Sequence, residues 1–332
     1  VILAGYGEGF EAGTRFLVTG GAGFIGSNLC EALLEAGYFV RCLDNFSTGK
    51  RENIAGFLSS PRFELMEGDI RDPDVCLAAC DGIDFVSHQA AWGSVPRSIE
   101  FPLLYEDINI RGTLNVLEAA RQRKVRRLAL ASSSSVYGDD QRLPKREGQE
   151  GKALSPYALT KQVNELYARL YNDLYGLPTI ALRYFNVFGR RQDPDGAYAA
   201  VIPKFVTALK NGRAPTIHGD GLQSRDFTYI DNVIQANIKA LSAQDHACGK
   251  AYNVACGGQE TLLGIYQAIS QAMGMENVSP VFGPPRPGDI RHSNADITLA
   301  RDNLGYKPEW DFGRGILAAI DWYTKGEGNG IS

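Results

Sequence analysis

The sequence predicts a doubly wound α/β fold, a parallel sheet covered by helices on both faces, with a smaller lobe toward the C-terminus. Three observations carry this. From Thr14 onward, apolar and β-branched strand-like segments alternate with helix-like ones, the punctuation of βαβ units. The first such segment runs directly into Gly21-Ala22-Gly23-x-x-Gly26, which opens the first helix and makes the expected sheet Rossmann-like. Beyond Asn186 the texture changes to shorter elements with more Gly and Pro, as in "GRRQDPDGAY" and "FGPPRPGD".

The elements follow in order. "TRFLVT" reads as a strand, "FIGSNLCEALLEAG" as the helix after the glycine turn, and "YFVRCLD", "RFELMEGD" and "IDFVSH" as further strands. Leu103, Leu104, Ile108, Leu114, Val116 and Leu117 fall near helical spacing and predict a long helix over about 103–124. "RRLALAS" is the next strand, so the serine run of "ASSSSVYG" sits at a strand's C-terminal end, where open α/β sheets bind ligands. The helix "SPYALTKQVNELYARLYNDLYG" starts at Ser155 with Pro156 in first position and closes at Gly176. The strand "PTIALRYFN" comes after it.

Composition narrows the function classes. With 332 residues, 44% hydrophobic and 22% charged, the chain is ordinary for a globular protein of enzyme size, and its apolar runs are too short to span a bilayer. The opening "VILAGYGEGFEAG" lacks the basic and apolar regions of a signal peptide, and residues 1–13 are left as an N-terminal extension. A net charge of −4 with interspersed signs offers no footprint for nucleic acid. The one basic cluster, "RQRKVRR", falls where a helix should end, and cations there complement the helix dipole. Six cysteines without a CxxC pair read as free thiols in a reducing cytoplasm, and four histidines without HxxxH or HxH spacing predict no metal site.

Three stretches carry chemistry. The glycine turn lets backbone approach a pyrophosphate, whose charge meets free N–H groups at the helix start. Asp44, ending the second strand, is placed to accept hydrogen bonds from an adenosine ribose, and its charge would repel a 2′-phosphate, favouring NAD over NADP. Asp69 of "EGDIRD" follows the third strand within reach of an adenine, although a surface turn also explains it. Tyr157-x-x-x-Lys161 places an ammonium and a phenol on one helix face, where the cation can favour the phenolate. Lowering a phenol from about 10 toward 7 needs roughly 4 kcal/mol, which Lys161 and an oxidised nicotinamide's charge would supply.

Taken together, "TGGAGFIG", "DNFSTG", "GDIRD", "HQAA", "ASSSSVYG", "SPYALTK", "LRYFNVFGRRQDPDG", "SRDFTYIDN" and "RPGDIRHSNAD" resemble the extended short-chain dehydrogenase/reductase family. Within it the chain is similar to UDP-sugar 4-epimerases acting on UDP-N-acetylhexosamines and their uronic acids, from Thr14 to about Tyr323. The resemblance implies catalytic roles for Ser133, Tyr157 and Lys161. It implies cofactor contacts at Gly20, Gly23, Phe24, Ile25 and Gly26, and at Asn45, Phe46, Ser47, Thr48 and Gly49 beside Asp44. Asp69, Ile70, Gln89, Ala90 and Ala91, with Asn109 and Tyr184, complete that set together with Tyr157 and Lys161. For the sugar nucleotide it implies Ser94, Arg97, Ser133, Ser134, Asn186 and Val201, then Thr216, His218 and Arg225, then Arg286, Asp289 and Ser293.

Related dehydratases carry T-D-E and decarboxylases T-S-E at the serine run; Ser134 and Ser135 stand here instead, so the extra acid chemistry is missing. Ala200 stands where hexose epimerases often have asparagine. Arg97 is read either as facing a uronate or as a helix-start surface residue. Ser293 resembles a gate position that is tyrosine in hexose-restricted epimerases. The resemblance thus implies NAD-dependent C4 inversion of a UDP-N-acetylhexosamine through a transient 4-keto sugar. The alternatives are a UDP-N-acetylhexosaminuronate epimerase, a UDP-glucose/galactose epimerase, a dehydratase or decarboxylase, or a non-catalytic NAD-binding protein. It also implies a homodimer through the helices at about 103–123 and 155–175. The expected organisation is a cofactor domain of 14–184 plus roughly 226–256, and a UDP-sugar lobe of 185–225 plus roughly 257–330.

Overall fold

The computed structural model describes residues 9–193, 201–285 and 291–325. Its first half is built as the alternation predicts. β1 (Arg15–Thr19) leads to α1 (Phe24–Glu35), β2 (Phe39–Asp44), β3 (Phe63–Glu67), α2 (Pro73–Ala79) and β4 (Phe85–His88). After two short helices, α3 (Val95–Glu100) and α4 (Pro102–Tyr105), come a π-helical turn (Glu106–Arg111) and α5 (Gly112–Gln122). β5 (Arg127–Ser133), α6 (Pro156–Tyr175) and β6 (Thr179–Tyr184) complete the half.

The second half is made of shorter pieces. They are β7 (Val187–Phe188), α7 (Val201–Lys210), β8 (Thr216–His218), β9 (Ser224–Arg225), β10 (Thr228–Tyr229) and α8 (Ile230–Leu241). β11 (Lys250–Val254), β12 (Glu260–Thr261), α9 (Leu262–Ala272) and β13 (Val281–Gly283) follow, then β14 (His292–Ser293), α10 (Thr298–Leu304) and α11 (Phe312–Lys325). No described helix is long and apolar enough to cross a membrane.

The main sheet is parallel throughout, in the order β11-β6-β5-β4-β1-β2-β3. The chain winds outward from β1 through β2 to β3, then returns to lay β4 on the other side of β1. That reversal opens a crevice at the strand ends between β1 and β4, the place where such sheets take ligands. Phe16, Leu17, Val18 and Leu128, Ala129, Leu130 are fully buried, as strands covered on both faces require. The remaining strands form three small sheets, β10-β7, β12-β9-β14 and β13-β8, while α8 packs back against β4, β5 and β6.

Helix boundaries follow local chemistry. The Ser155 side chain caps α6 by accepting from the Ala158 N–H at 3.1 Å, Pro156 fills its first position, and Gly176 ends it at φ 67° in the left-handed region.

Three expectations need correction. The helix read over 103–124 is one helical run, but its middle is π-helical; the wider turn offsets the buried face, and Asn109 lies fully buried in it. Leu103, one of the apolar residues whose spacing predicts that helix, is 82% exposed. The end of the N-terminal extension packs against the core: the half-buried Phe10 ring stands edge-on to Phe16 at 5.0 Å and to Phe85 at 4.9 Å.

Candidate functional site

The crevice holds a cavity of about 420 Å³ lined by residues from the ends of β1, β2, β3, β4 and β5 and from α6. Gly20 sits at φ 66°, and a Cβ there would stand 2.7 Å from the Ala90 amide nitrogen. At Gly26 a Cβ would stand 2.1 Å from the Gly20 carbonyl oxygen, so only glycine lets α1 pack this close to the turn. α1 starts without a side-chain cap or an acidic residue in its first turn, and Gly23, Phe24 and Ile25 line the cavity. The N–H groups of this helix start and the helix dipole suit a phosphate anion.

Asp44 lies in the cavity wall, with Oδ2 accepting from the Ala22 N–H at 2.9 Å and Oδ1 from Phe46 N–H at 2.8 Å. It therefore ties the glycine turn to the loop after β2, beyond the ribose contact expected of it. Burial holds its carboxyl above the ordinary range against both bonds. Asn45, Ser47 and Thr48 line the cavity. Phe46 and Gly49 do not: Phe46, at φ 55°, carries the Arg51 guanidinium over its ring at 4.0 Å, and Gly49 backs onto the Asp44 carboxylate. Asp69 and Ile70 reach the same cavity. Two bonds from Arg71, at 3.0 and 2.7 Å, hold Asp69 down to about 2, and Asn45 adds a third at 2.8 Å.

Gln89, Ala90 and Ala91 form the wall after β4. Tyr184 on β6 lines it too, and its hydroxyl meets Gln89 Oε1 at 3.2 Å and Asn237 of α8, whose Nδ2 donates at 2.9 Å. Asn109 stands behind the wall rather than in it. Its amide is fully engaged, accepting from Trp92 N–H at 2.9 Å and donating to the Trp92 carbonyl at 3.0 Å and to Thr160 Oγ1 at 3.1 Å.

Tyr157 and Lys161, one turn apart on α6, both face this cavity. The Ser133 side chain beside Tyr157 favours its phenolate, and Ser133 Oγ accepts the Ser135 N–H at 3.1 Å. Lys161 Nζ donates to the Ala131 carbonyl at 2.8 Å and lies 6.0 Å from the Tyr157 ring centroid. The shared face is as predicted, but the expected effect on the phenol is not what the protein alone produces. Burial pushes Tyr157 up and pushes Lys161 down to about 8, the latter against the opposing charge of Glu165. Glu165, one turn beyond Lys161, takes the Ser132 hydroxyl and two bonds from Arg183, at 2.8 and 2.7 Å. His88 lies between Thr19 Oγ1 at 2.7 Å and Thr113 Oγ1 at 2.9 Å; burial and the nearby Lys161 push it down to about 3, so it is neutral.

A second cavity, of about 710 Å³, gathers Asn186, Val201, Thr216, His218 and Arg225. Ser293 lies outside its lining, on β14 directly opposite Arg225 of β9. Ser94, Arg97, Ser133 and Ser134 line neither cavity. Ser94 caps α3 by accepting the Arg97 N–H at 3.2 Å, and the Arg97 guanidinium lies 3.6 Å from the Trp92 ring centroid, which favours a structural reading of both. Ser134 begins the turn after β5. Arg286, Asp289 and Ala200 lie outside the described residues. Sequence reasoning missed Trp92, Asn237 and Glu165. Glu165 was detectable as the next helical turn after Tyr157 and Lys161, and Trp92 as the one large side chain in "AAWG"; Asn237 had no local signal.

Comparison with known proteins agrees with this geometry. Residues 16–255 match the model of the NAD dependent epimerase/dehydratase family. The UDP-glucose 4-epimerase of Mycolicibacterium smegmatis is 38% identical over 93% of this chain and 98% of its own length. A UDP-N-acetylglucosamine 4-epimerase from Methanobrevibacter ruminantium, solved with UDP-N-acetylmuramic acid, superposes with a TM-score of 0.90 at 37% identity, over 95% of this chain and 99% of that one. A UDP-glucuronic acid 4-epimerase from Bacillus cereus, solved with UDP-glucuronic acid and NAD, gives 0.86 at 33% identity, over 94% and 99%.

Proposed function

The chain belongs to the NAD dependent epimerase/dehydratase family, and from that premise we propose that this nucleotide-sugar 4-epimerase inverts C4 of UDP-N-acetylhexosamines, interconverting UDP-GlcNAc and UDP-GalNAc. The observation that carries the choice of epimerisation is the surroundings of Tyr157. The turn packed against its helix carries Ser134 and Ser135 directly after Ser133, hydroxyls and no carboxyl. Loss of water or CO2 from the sugar calls for a further acid or base beside the tyrosine; simple removal and return of the C4 hydrogen does not.

The residues fit the cofactor. The clearance at Gly20 and Gly26 and the uncapped start of α1 suit a pyrophosphate, and Asp44 suits an unphosphorylated ribose. NAD bound there supplies the acceptor and donor of the C4 hydride. Tyr157 takes the proton of the sugar 4-OH and later returns it, with Ser133 orienting the same oxygen. Lys161 supplies the positive charge that favours the phenolate. The 4-keto sugar turns over about its diphosphate before the hydrogen returns to the opposite face. The second cavity, with Arg225 at its wall, takes the UDP portion; arginine's planar fork suits a diphosphate. In this reading residues 14–184 with roughly 226–256 hold NAD, and 185–225 with roughly 257–330 hold the sugar nucleotide.

Purified protein is expected to carry NAD(H) without addition and to convert UDP-GlcNAc with no lasting change in nicotinamide absorbance. Rates on UDP-GlcNAc, its uronic acid and UDP-glucose, measured side by side, test the sugar assignment; UDP-glucose as the fastest of the three would overturn it. Accumulating NADH would contradict epimerisation itself.

We also propose a homodimer. Leu159, Leu166, Leu170 and Leu174 make an exposed stripe along α6, flanked by Ile99 and Leu103. Side chains spaced by seven, four and four lie on one helix face, as in helix–helix seams. Leu166→Glu with Leu170→Glu is expected to convert a dimer to a monomer by light scattering; an unchanged mass would remove this face as the interface.

A further inference from the structure

Trp92 interrupts a run of small residues, Ala90-Ala91-Trp92-Gly93, and its side chain is part of the cofactor cavity's lining. Its placement is not left to the loop that carries it. The buried Asn109 amide holds both its N–H and its carbonyl, and the same amide reaches Thr160, on α6 between Tyr157 and Lys161. The catalytic helix therefore fixes where the indole stands. From there the ring reaches between the loop after β2 and Tyr105. Nε1 approaches Ser47 Oγ at 3.5 Å, on the loop after β2, and the ring meets Tyr105 edge-on at 5.8 Å. Tyr105 in turn stands edge-on to Tyr157 at 6.3 Å. Arg97 covers the Trp92 ring with its guanidinium at 3.6 Å, a cation–π contact that holds the plate in place.

We propose that Trp92 is a cofactor-retaining residue: an indole plate, braced by Asn109 and Arg97, that closes the cavity between the Ser47 loop and Tyr157 and sets how slowly NAD leaves. The inference rests on the NAD site described above. Slow release has a chemical purpose in such a site. The hydride taken from the sugar returns from the same bound molecule, so a cofactor that departs in mid-cycle leaves a ketone as product.

The test follows cofactor, not turnover. Holoproteins of the parent, Trp92→Ala, Trp92→Phe and Arg97→Gln are dialysed extensively, and the NAD(H) remaining is extracted and quantified against time. Trp92→Ala is expected to release it about tenfold faster or more, as removal of a contact acts mainly on the off-rate. Trp92→Phe should retain most of the parental hold, and Arg97→Gln should fall between the two. The melting temperature of each cofactor-free protein should match the parent. Added NADH should quench indole emission in the parent and quench it far less in Trp92→Phe, which leaves only Trp310 and Trp322 as emitters. Parental retention in Trp92→Ala, or undiminished quenching in Trp92→Phe, overturns the proposal. A parent that neither retains nor rebinds NAD overturns both this proposal and the cofactor reading beneath it, and so is told apart from failure of the plate alone.

Discussion

Tyr157→Phe is expected to lower turnover of a UDP-sugar by at least about 100-fold while the protein keeps its NAD, since loss of a positioned general base typically costs ~10²–10⁴. Geometry gives the reason for the large effect and for the spared cofactor. The substitution removes only the hydroxyl, whereas the ring, which meets Tyr105 edge-on at 6.3 Å, survives as phenylalanine. Ser133 keeps its bond from the Ser135 N–H, so the end of β5 stays in place. Parental turnover in this variant would remove the mechanism.

The same tyrosine makes a pH prediction whose sign can be worked out. Burial raises Tyr157 and lowers Lys161 to about 8. Below about 8 Lys161 is a cation and supports the phenolate; above it that support fades. The alkaline limb of the rate profile, near 8, therefore reports loss of the ammonium charge, and the acid limb reports loss of the phenol proton once the positive charge of bound NAD offsets the burial that raises Tyr157. Lys161→Ala removes the charge outright and should move the acid limb to higher pH. A rate profile that Lys161→Ala leaves in place would show that the ammonium does not support the phenolate.

Much of this site was legible because its chemistry is local. Gly20 and Gly26 stand where backbone atoms approach too closely for any Cβ, and a strand followed by that turn has few other uses. Tyr157 and Lys161 share a face because one helical turn separates them, and the ends of α6 are written in Ser155, Pro156 and Gly176. What escaped notice depends on contacts far apart in sequence. A π-helical turn has no sequence signature, so neither the burial of Asn109 nor its hold on Trp92 could be read from residues 103–124. Arg97 was left between a uronate contact and a surface role; the indole beneath its guanidinium comes from a neighbouring loop. Asp44 was correctly placed at the end of β2, yet its hold on the Ala22 and Phe46 N–H groups appears only once the turn is folded against it. Phe10 packs against the core at Phe16 and Phe85, partners that no pattern within residues 1–13 specifies.

Ser293→Tyr is expected to lower turnover of UDP-GlcNAc by about 100-fold or more and to leave UDP-glucose turnover at or above the parental level. Ser293 and Arg225 are register partners in the parallel pair β14–β9, so their side chains project to the same face of that small sheet. Arg225 lines the second cavity, where the proposed reading puts the diphosphate, and the Ser224–His292 bond at 2.9 Å fixes the pair beside it. In that reading a side chain at position 293 stands one strand away from the diphosphate site. Serine leaves room there for a bulky C2 substituent. A phenol ring would fill the space that an N-acetyl group needs, while a bare hydroxyl would still fit. The acetylated sugar, displaced by the ring, would hold C4 away from the Tyr157 hydroxyl, and a misplacement of about 1 Å can already cost ~10² in rate. Because the clash acts on the reacting geometry, kcat for UDP-GlcNAc should fall along with affinity, and the ratio of the two sugars' kcat/KM is the quantity to measure. Parental turnover of UDP-GlcNAc by Ser293→Tyr would show that position 293 does not touch the C2 substituent. The preference for acetylated over plain hexoses would then have to come from residues lining the second cavity itself, with Val201 and Thr216 the first to exchange.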